Sequence, residues 1–236
     1  MSETRIAWVT GGSAGIGLAI ARELCDAGFL TVISGRNADA LDEACRNLRE
    51  AGGSAEAQVC DVAVRAQVNE AAQAILSHHG RIDVLVNNAG HNSQKRKWDE
   101  LDPDEFDGVI AANLTGTFNC IHAVLPAMRA RKCGLVVNVS SVAGKQVNPD
   151  GGVAYTIAKH GAHIMARMLN QTELANGIRA CTIAPAGVAT RAHDWRGEAI
   201  KQYMLRPEDV ARAVRFAVEQ PAHSAVFEVE LGWSPS

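Results

Sequence analysis

Thr10-Gly11-Gly12-Ser13-Ala14-Gly15-Ile16-Gly17 follows a short apolar run at 6–10 and leads into a helical pattern over 15–27. Glycines here let the backbone turn sharply behind a strand and leave the free N–H groups of the next helix open to a pyrophosphate. The spacing is G-x-x-x-G-x-G, which differs from the common G-x-G-x-x-G dinucleotide pattern. Gly11-Gly12-Ser13-Ala14-Gly15 also matches, formally, the G-x-S-x-G nucleophile elbow of hydrolases. An elbow needs an earlier strand loop to complete its oxyanion hole, and only ten residues stand ahead of Gly11. A strand, glycine turn and helix remain as the reading, and they set the class as α/β.

The same alternation continues outward along the chain. Strand candidates lie at 6–10, 30–34, 55–60, 84–87, 135–139, 179–184 and 226–231, and helical patterns fill 15–27, 38–51, 64–79, 104–131, 154–175 and 207–219. Val84-Leu85-Val86 and Leu135-Val136-Val137 do not alternate with polar residues, as expected of parallel strands buried on both faces. Repeated strand–helix–strand order implies right-handed crossovers and a doubly wound parallel sheet of seven strands with helices on both faces. Asp102-Pro103-Asp104-Glu105 supplies a cap, a first-turn proline and acidic residues for the long helix, and Pro207-Glu208-Asp209 repeats the logic. No linker or repeat interrupts the pattern, so a single domain over 1–236 is expected, with a lid at roughly 190–206.

Composition narrows the function classes. The 236 residues are 47% hydrophobic and 21% charged, which excludes a disordered chain. A formal net charge of −3 builds no field for polyanions, so nucleic acid is not an expected partner. Lys95-Arg96-Lys97 and Arg129 with Arg131 and Lys132 read as a solvated loop and a helix end. The opening residues carry charges of both signs without a long apolar stretch, so neither a secretory leader nor a membrane span is expected. Six scattered cysteines show no metal-ligand spacing; free thiols, a cytoplasmic location and no metal are the expectation.

In an open α/β sheet, ligands gather beyond the carboxyl ends of the strands. Tyr155-Thr156-Ile157-Ala158-Lys159 opens a helix there, and its spacing sets a phenol and an ammonium on one helix face. A cation near a phenol favours phenolate, and a tuned phenol suits acid–base work on a carbonyl or alcohol oxygen. Tyr155 is one of only two tyrosines, and it follows the strand ending in Asn138-Val139-Ser140-Ser141. A catalytic reading competes with a surface pair, a loop hydroxyl and ordinary capping amides for each residue taken singly.

Taken jointly, these motifs resemble the short-chain dehydrogenase/reductase family over essentially the whole chain. The 10–17 segment is similar to its cofactor loop, and Asn87-Asn88-Ala89-Gly90 to its Asn-Asn-Ala-Gly element. Asn113, Ser141, Tyr155 and Lys159 resemble its catalytic tetrad, with Ser141 fourteen positions before Tyr155. That interval is one residue longer than the commonest family spacing, with the extra residue placed in the 145–151 loop. The resemblance implies a Rossmann-like fold and hydride transfer between a nicotinamide cofactor and a small ketone, secondary alcohol or hydroxy acid. Tyr155 would be the general acid/base, and Ser141 would hydrogen-bond the reacting oxygen. Lys159 would hold the ribose and lower the Tyr155 pKa, and Asn113 would anchor a proton-relay water.

Cofactor contacts implied by the resemblance are Gly11, Ser13, Ala14, Gly15, Ile16, Gly17, Arg36, Asp61, Val62, Asn88, Ala89, Gly90, Tyr155, Lys159, Pro185, Gly187, Val188 and Thr190. Gly35-Arg36 ends the second strand where NAD-preferring relatives carry an Asp, so NADP(H) is favoured over NAD(H). Pocket-wall candidates are His91, Asn92, Val142, Ala143, Gln146, Val147, His193 and Trp195, with Arg191 and Arg196 as possible markers of an acid substrate. A small-residue stripe, Ala154, Ala158, Gly161 and Ala162, would allow close helix approach in a homo-oligomer, a dimer or tetramer as in the family. Two alternatives remain open: a 3-oxoacyl substrate on a carrier, which needs a basic patch near the lid, and a non-catalytic dinucleotide-binding relative, although all four tetrad residues are present.

Overall fold

A computed structural model describes residues 4–190 and 198–233. Seven parallel strands form one sheet in the order β3-β2-β1-β4-β5-β6-β7: β1 Arg5–Thr10, β2 Phe29–Gly35, β3 Ser54–Val59, β4 Val84–Asn87, β5 Gly134–Val139, β6 Ile178–Pro185 and β7 Glu228–Leu231. The helices are α1 Gly15–Asp26, α2 Ala38–Glu50, α3 Arg65–His79, α4 Pro103–Ile110, α5 Gly116–Arg131, α6 Val153–Glu173, α7 Glu198–Lys201 and α8 Pro207–Val218. Order reverses between β1 and β4, where an open α/β sheet leaves a crevice at its carboxyl edge.

Alternation along β1 explains the two layers. Ala7 and Val9 face a core closed by α1, α2 and α8, with Ile20, Leu24, Leu41 and Val214 fully buried. Ile6 and Trp8 face the other side, where α3, α5 and α6 bring Val68, Val124, Met128 and Ala166. Trp8 sits wholly inside and satisfies its indole N–H on Ser34 Oγ at 3.0 Å. All six cysteines are free.

The expected strands are present, and β7 begins two residues later than the 226–231 pattern. The helix expected over 104–131 is in fact two, α4 and α5, joined by a wider π-helical turn at Ala111–Thr115. A 3.6-residue period cannot announce a π turn, because the side chains on either side keep a helical pattern. By length and mean hydropathy of 1.3 the run Pro103–Arg131 could cross a membrane. Here Val109, Cys120, Val124 and Met128 pack under the sheet as core instead. The small-residue stripe on α6 also faces inward. Ala154, Ala158 and Ala162 are buried, and a Cβ on Gly161 would lie 2.4 Å from Leu114. That stripe serves packing onto the sheet and the π turn; the exposed α6 face carries Ile157, Ile164 and Met168.

Candidate active site

The glycine turn is stitched to β4 by one side chain. Asn88 Nδ2 donates to Thr10 O at 3.0 Å and Gly11 O at 3.1 Å, while Thr10 Oγ1 accepts from the N–H groups of Asn88 and Ala89 at 3.0 and 3.1 Å. Helix α1 then starts without a side-chain cap, so its first N–H groups stay open for an anion. Gly17 permits this closeness: a Cβ there would lie 2.1 Å from Gly11 O. Gly15, at φ +55°, turns its missing side chain toward Thr190, whose methyl lies 3.5 Å from the position a Cβ would take.

Other cofactor candidates border the same cleft. Arg36 follows β2 directly, is exposed and makes no ion pair among the described residues. Asp61 Oδ1 accepts the Ala63 N–H at 3.0 Å, and Val62 O accepts from Asn119 at 3.0 Å, so both lie in an ordered turn ahead of α3. Beyond β6, Val188 is buried beside Leu205; Leu205 N–H donates to Gly187 O at 3.1 Å and Ala189 N–H to Leu205 O at 2.7 Å. Ala186 sits in this loop without strain, since its φ is not positive and its N–H meets Leu231 O at 2.8 Å.

Across the cleft, α6 and the end of β5 bring the tetrad candidates together. Lys159 is 6% exposed; its Nζ donates to Val139 O at 2.9 Å and lies 5.4 Å from the centroid of the Tyr155 ring. Burial brings the Lys159 ammonium down to about 8. Burial also pushes the Tyr155 phenol up, opposed by a hydrogen bond with Ser141 and by the charge of Arg96. Arg96 is thus a second cation near Tyr155 beside the expected Lys159, and burial outweighs them, so the phenol is raised where the pairing with Lys159 was expected to lower it. Ser141 caps a short turn, Val142–Gly144, accepting the Ala143 N–H at 3.2 Å.

Asn113 occupies the π turn and is 1% exposed. Its Nδ2 donates to His91 O at 2.7 Å and Val109 O at 2.9 Å, while its Oδ1 is buried with no partner among the described residues. Gly90 packs directly on it, since a Cβ there would lie 2.2 Å from Oδ1. A buried acceptor held this rigidly suits a water.

Several positioning groups escaped the sequence reading. Asn138 accepts from Asn87 Nδ2 at 3.0 Å and donates to Ala162 O at 2.9 Å, joining β4, β5 and α6 through one amide. Ser140 Oγ donates to Lys159 O at 3.2 Å. The only sequence signal was position, since both precede Ser141 at a strand end. Arg96 is not the solvated loop residue expected: its Nε donates to Ser93 O at 3.0 Å and its Nη1 to Asp150 O at 2.9 Å, bridging two loops.

Pocket-wall candidates divide by what else they do. Asn92 Nδ2 donates to Gly151 O at 2.9 Å, and Ala143 is buried, so both hold loops together. His91, Gln146 and Val147 are exposed, and Val142 is half-buried. Burial holds the His91 imidazole below its usual value, with the Arg36 charge adding and Asp61 and Glu105 opposing. His193 and Trp195, with Arg191 and Arg196, lie outside the described residues. Among the described residues no cluster of His, Cys, Asp and Glu could hold a metal.

Comparison with known proteins bears on the family and the fold. The sequence model for short chain dehydrogenase matches residues 5–200. An uncharacterized oxidoreductase of Staphylococcus epidermidis is 31% identical over 229 residues, covering 96% of each chain. A metagenomic short-chain oxidoreductase crystallised with NADP superimposes with a TM-score of 0.85 at 34% identity, covering 98% of both chains. A variant of actinorhodin polyketide ketoreductase with NADPH gives a TM-score of 0.88 at 28% identity, covering 96% of this chain and 95% of that one.

Proposed function

The chain belongs to the short-chain dehydrogenase family, oxidoreductases built around a nicotinamide dinucleotide, and on that premise we propose that it interconverts a small ketone with its secondary alcohol or hydroxy acid using NADP(H). The observation that supports this reading is the grouping of Ser141, Tyr155 and Lys159 after β5, with Asn113 in the π turn packed against α6 and an uncapped α1 following β1 at the same carboxyl edge of the sheet. The uncapped start of α1, where a Cβ on Gly17 would lie 2.1 Å from Gly11 O, fits the pyrophosphate of such a cofactor. When bound, the nicotinamide supplies the hydride for reduction or takes it in oxidation.

The rest of the chemistry belongs to this chain. Tyr155 holds its proton because burial raises the phenol, and it gives that proton to the carbonyl oxygen during reduction. Ser141 accepts the Ala143 N–H, which leaves its own hydroxyl hydrogen for the same oxygen as negative charge grows there. Lys159, titrating at about 8, would bond the ribose and pass toward Tyr155 the proton it takes up from a water on Asn113 Oδ1, restoring the phenol after reduction. The N–H groups between Ser13 and Gly17 would hold the pyrophosphate, Asp61 and Val62 would border the adenine, and Val188 with Thr190 the carboxamide.

Arg36 supports NADP(H) over NAD(H), because an exposed guanidinium with no ion pair among the described residues suits a 2′-phosphate. A titration of NADPH and NADH, followed by energy transfer from the four tryptophans, tests this. NADPH should bind at least tenfold tighter, a gap of about 1.4 kcal/mol, and Arg36→Ala should erase the gap. NADH binding equally well would remove the cofactor preference. Binding of neither would overturn the oxidoreductase reading.

The likeness to a polyketide ketoreductase favours a second reading, a 3-oxoacyl group delivered on an acidic carrier. Charge placement opposes it. Arg129 pairs with Glu173 and Arg131 with Asp83, which precedes β4, so that cluster lies at the amino ends of the strands. Lys95 and Lys97 border the site, yet Lys97 pairs with Glu100 at 3.6 Å, and Asp99, Asp102 and Asp104 follow at once. A free small substrate suits that mixed edge better. A homo-oligomer remains part of the reading, and the exposed face of Phe118, Ile157, Ile164 and Met168 supports it.

A further inference from the structure

One carboxylate on the last strand ties together the two elements that carry the reactive side chains. Glu228 opens β7 and pairs with Lys145, which follows the Ser141 turn. The same carboxylate meets His163 Nε2 at 3.0 Å and Arg167 Nη2 at 3.8 Å, both from α6, the helix of Tyr155 and Lys159. Lys145 also reaches Glu230. We infer that Glu228 is a positioning residue for the reaction, fixing the Ser141 turn against the Tyr155–Lys159 helix through Lys145 on one side and His163 on the other.

Short backbone links make the coupling direct. Gly144 N–H donates to Ser141 O at 2.8 Å and Lys145 N–H to Val142 O at 3.0 Å, so a displacement of Lys145 passes into the serine within one turn. The inner side of that turn already lies on α6, because a Cβ at Gly144 would stand 2.7 Å from Lys159 O. Its outer side is held by Glu228. His163 stands one helical turn beyond Lys159 and is 4% exposed. Among the described residues its Nδ1 is buried without a partner, so in the neutral ring Nε2 carries the hydrogen and donates it to the carboxylate.

The charges around the hub agree with this geometry. Burial holds the His163 imidazole below its usual value, against the pull of Glu228 and with Arg167 and Lys145 adding. Burial opposes the Glu228 charge, yet the Lys145 hydrogen bond and the charges of His163, Lys145 and Arg167 hold its carboxyl below the usual range. At neutral pH the hub is thus a carboxylate between two cations and a neutral imidazole, with Glu230 on the outer side of Lys145. The β6–β7 ladder from Thr182↔Glu228 to Pro185↔Leu231 already secures the strand, so the side-chain bonds are not needed for strand pairing. Their consequence falls on the turn. Ser141 and Tyr155 must reach one oxygen, and misplacement by about 1 Å can cost a hundredfold in rate.

The activity half of this inference rests on the oxidoreductase reading, so the decisive readout is independent of turnover. Amide exchange of the full chain, read by mass spectrometry over 142–146 and over 10–17, compares the wild type with Glu228→Gln and Lys145→Met. Both variants should exchange at least tenfold faster at 142–146 and unchanged at 10–17. The kcat of NADPH-dependent ketone reduction should fall about tenfold with NADPH affinity within twofold, and Lys145→Arg should recover most of the loss seen in Lys145→Met. Unchanged exchange at 142–146 overturns the inference, as does loosening of both segments together, which would mark general destabilisation. A wild-type protein that reduces no ketone would overturn the preceding reading instead, and the exchange result would still decide this one.

Discussion

The glycine turn beside β1 and the Ser141–Tyr155–Lys159 cluster beside β5 face each other across one cleft and are built by different means. The turn is mostly backbone: two residues with positive φ, an uncapped helix start, and one amide, Asn88, closing it onto Thr10 and Gly11. The cluster is mostly side chain. Asn87, Asn138 and Ser140 lock β4, β5 and α6 in register so that four reactive groups converge. A cradle made of backbone tolerates almost any neighbour but no added Cβ. A cluster made of side chains tolerates backbone drift poorly, because each member depends on a partner from a distant segment.

If that division is right, substitutions on the two sides should split binding from turnover. The largest separation belongs to Tyr155→Phe. Removing the proton donor should lower kcat about a thousandfold, near 4 kcal/mol, with NADPH affinity within threefold. Comparable losses in both quantities would mean that the phenol helps to build the cradle, and the contrast would fail.

Asn138→Ala comes next. It strands Asn87 Nδ2 and Ala162 O in a buried setting, at about 1–3 kcal/mol for each orphaned group. Denaturant unfolding should therefore show a loss of about 3 kcal/mol, and kcat should drop while NADPH affinity holds. A variant as stable as the wild type would show that the amide ladder is not what registers α6.

Gly17→Ala probes the opposite wall. The new methyl would meet Gly11 O at 2.1 Å, contact that only a shift of the turn can relieve. NADPH affinity measured by titration should weaken at least a hundredfold, about 2.7 kcal/mol. Retained affinity would mean that the turn gives way, and that backbone closeness is not the source of its fit.

This division also governs what could be read from the chain before folding. Glycine spacing, strand runs and the Tyr155–Lys159 interval are local, so the sheet, its two helical layers and the cleft-lining motifs were legible. The Asn87–Asn138–Ala162 link spans residues far apart in sequence and has no period, so nothing in any one segment announced it. The π turn at Ala111–Thr115 was hidden because Asn113 keeps its helical neighbours on either side. Arg96 was missed for a related reason: a basic triplet looks solvated until Ser93 and Asp150 are brought to either side of it. The inward stripe of α6 could not be told from an interface, since small residues permit close approach to a sheet and to another helix alike.

Lys159 offers the finest test, because its two surroundings oppose one another. Its bond to Val139 O favours the ammonium, yet burial prevails and holds the folded pKa at about 8, below that of an unfolded lysine near 10.4. Between those values the unfolded chain binds more protons, so this residue's contribution to stability rises with pH from about 8 and levels off above about 10. Cys60, raised by burial to about 11, and Cys181, raised to about 12, act in the reverse sense, keeping protons that unfolded thiols lose. Those groups are the same in Lys159→Met, so the difference between the two proteins isolates the lysine. Denaturant unfolding at pH 7.5 and 9.5 should show wild-type stability gaining about 1–2 kcal/mol relative to Lys159→Met. A flat or falling difference would mean that Lys159 stays fully charged through this range, with Val139 O and its surroundings solvating it as well as water does. The neutral amine needed to take up a proton from the water on Asn113 would then be too scarce near neutral pH, and the acid–base part of the Tyr155 cluster would have to run without it.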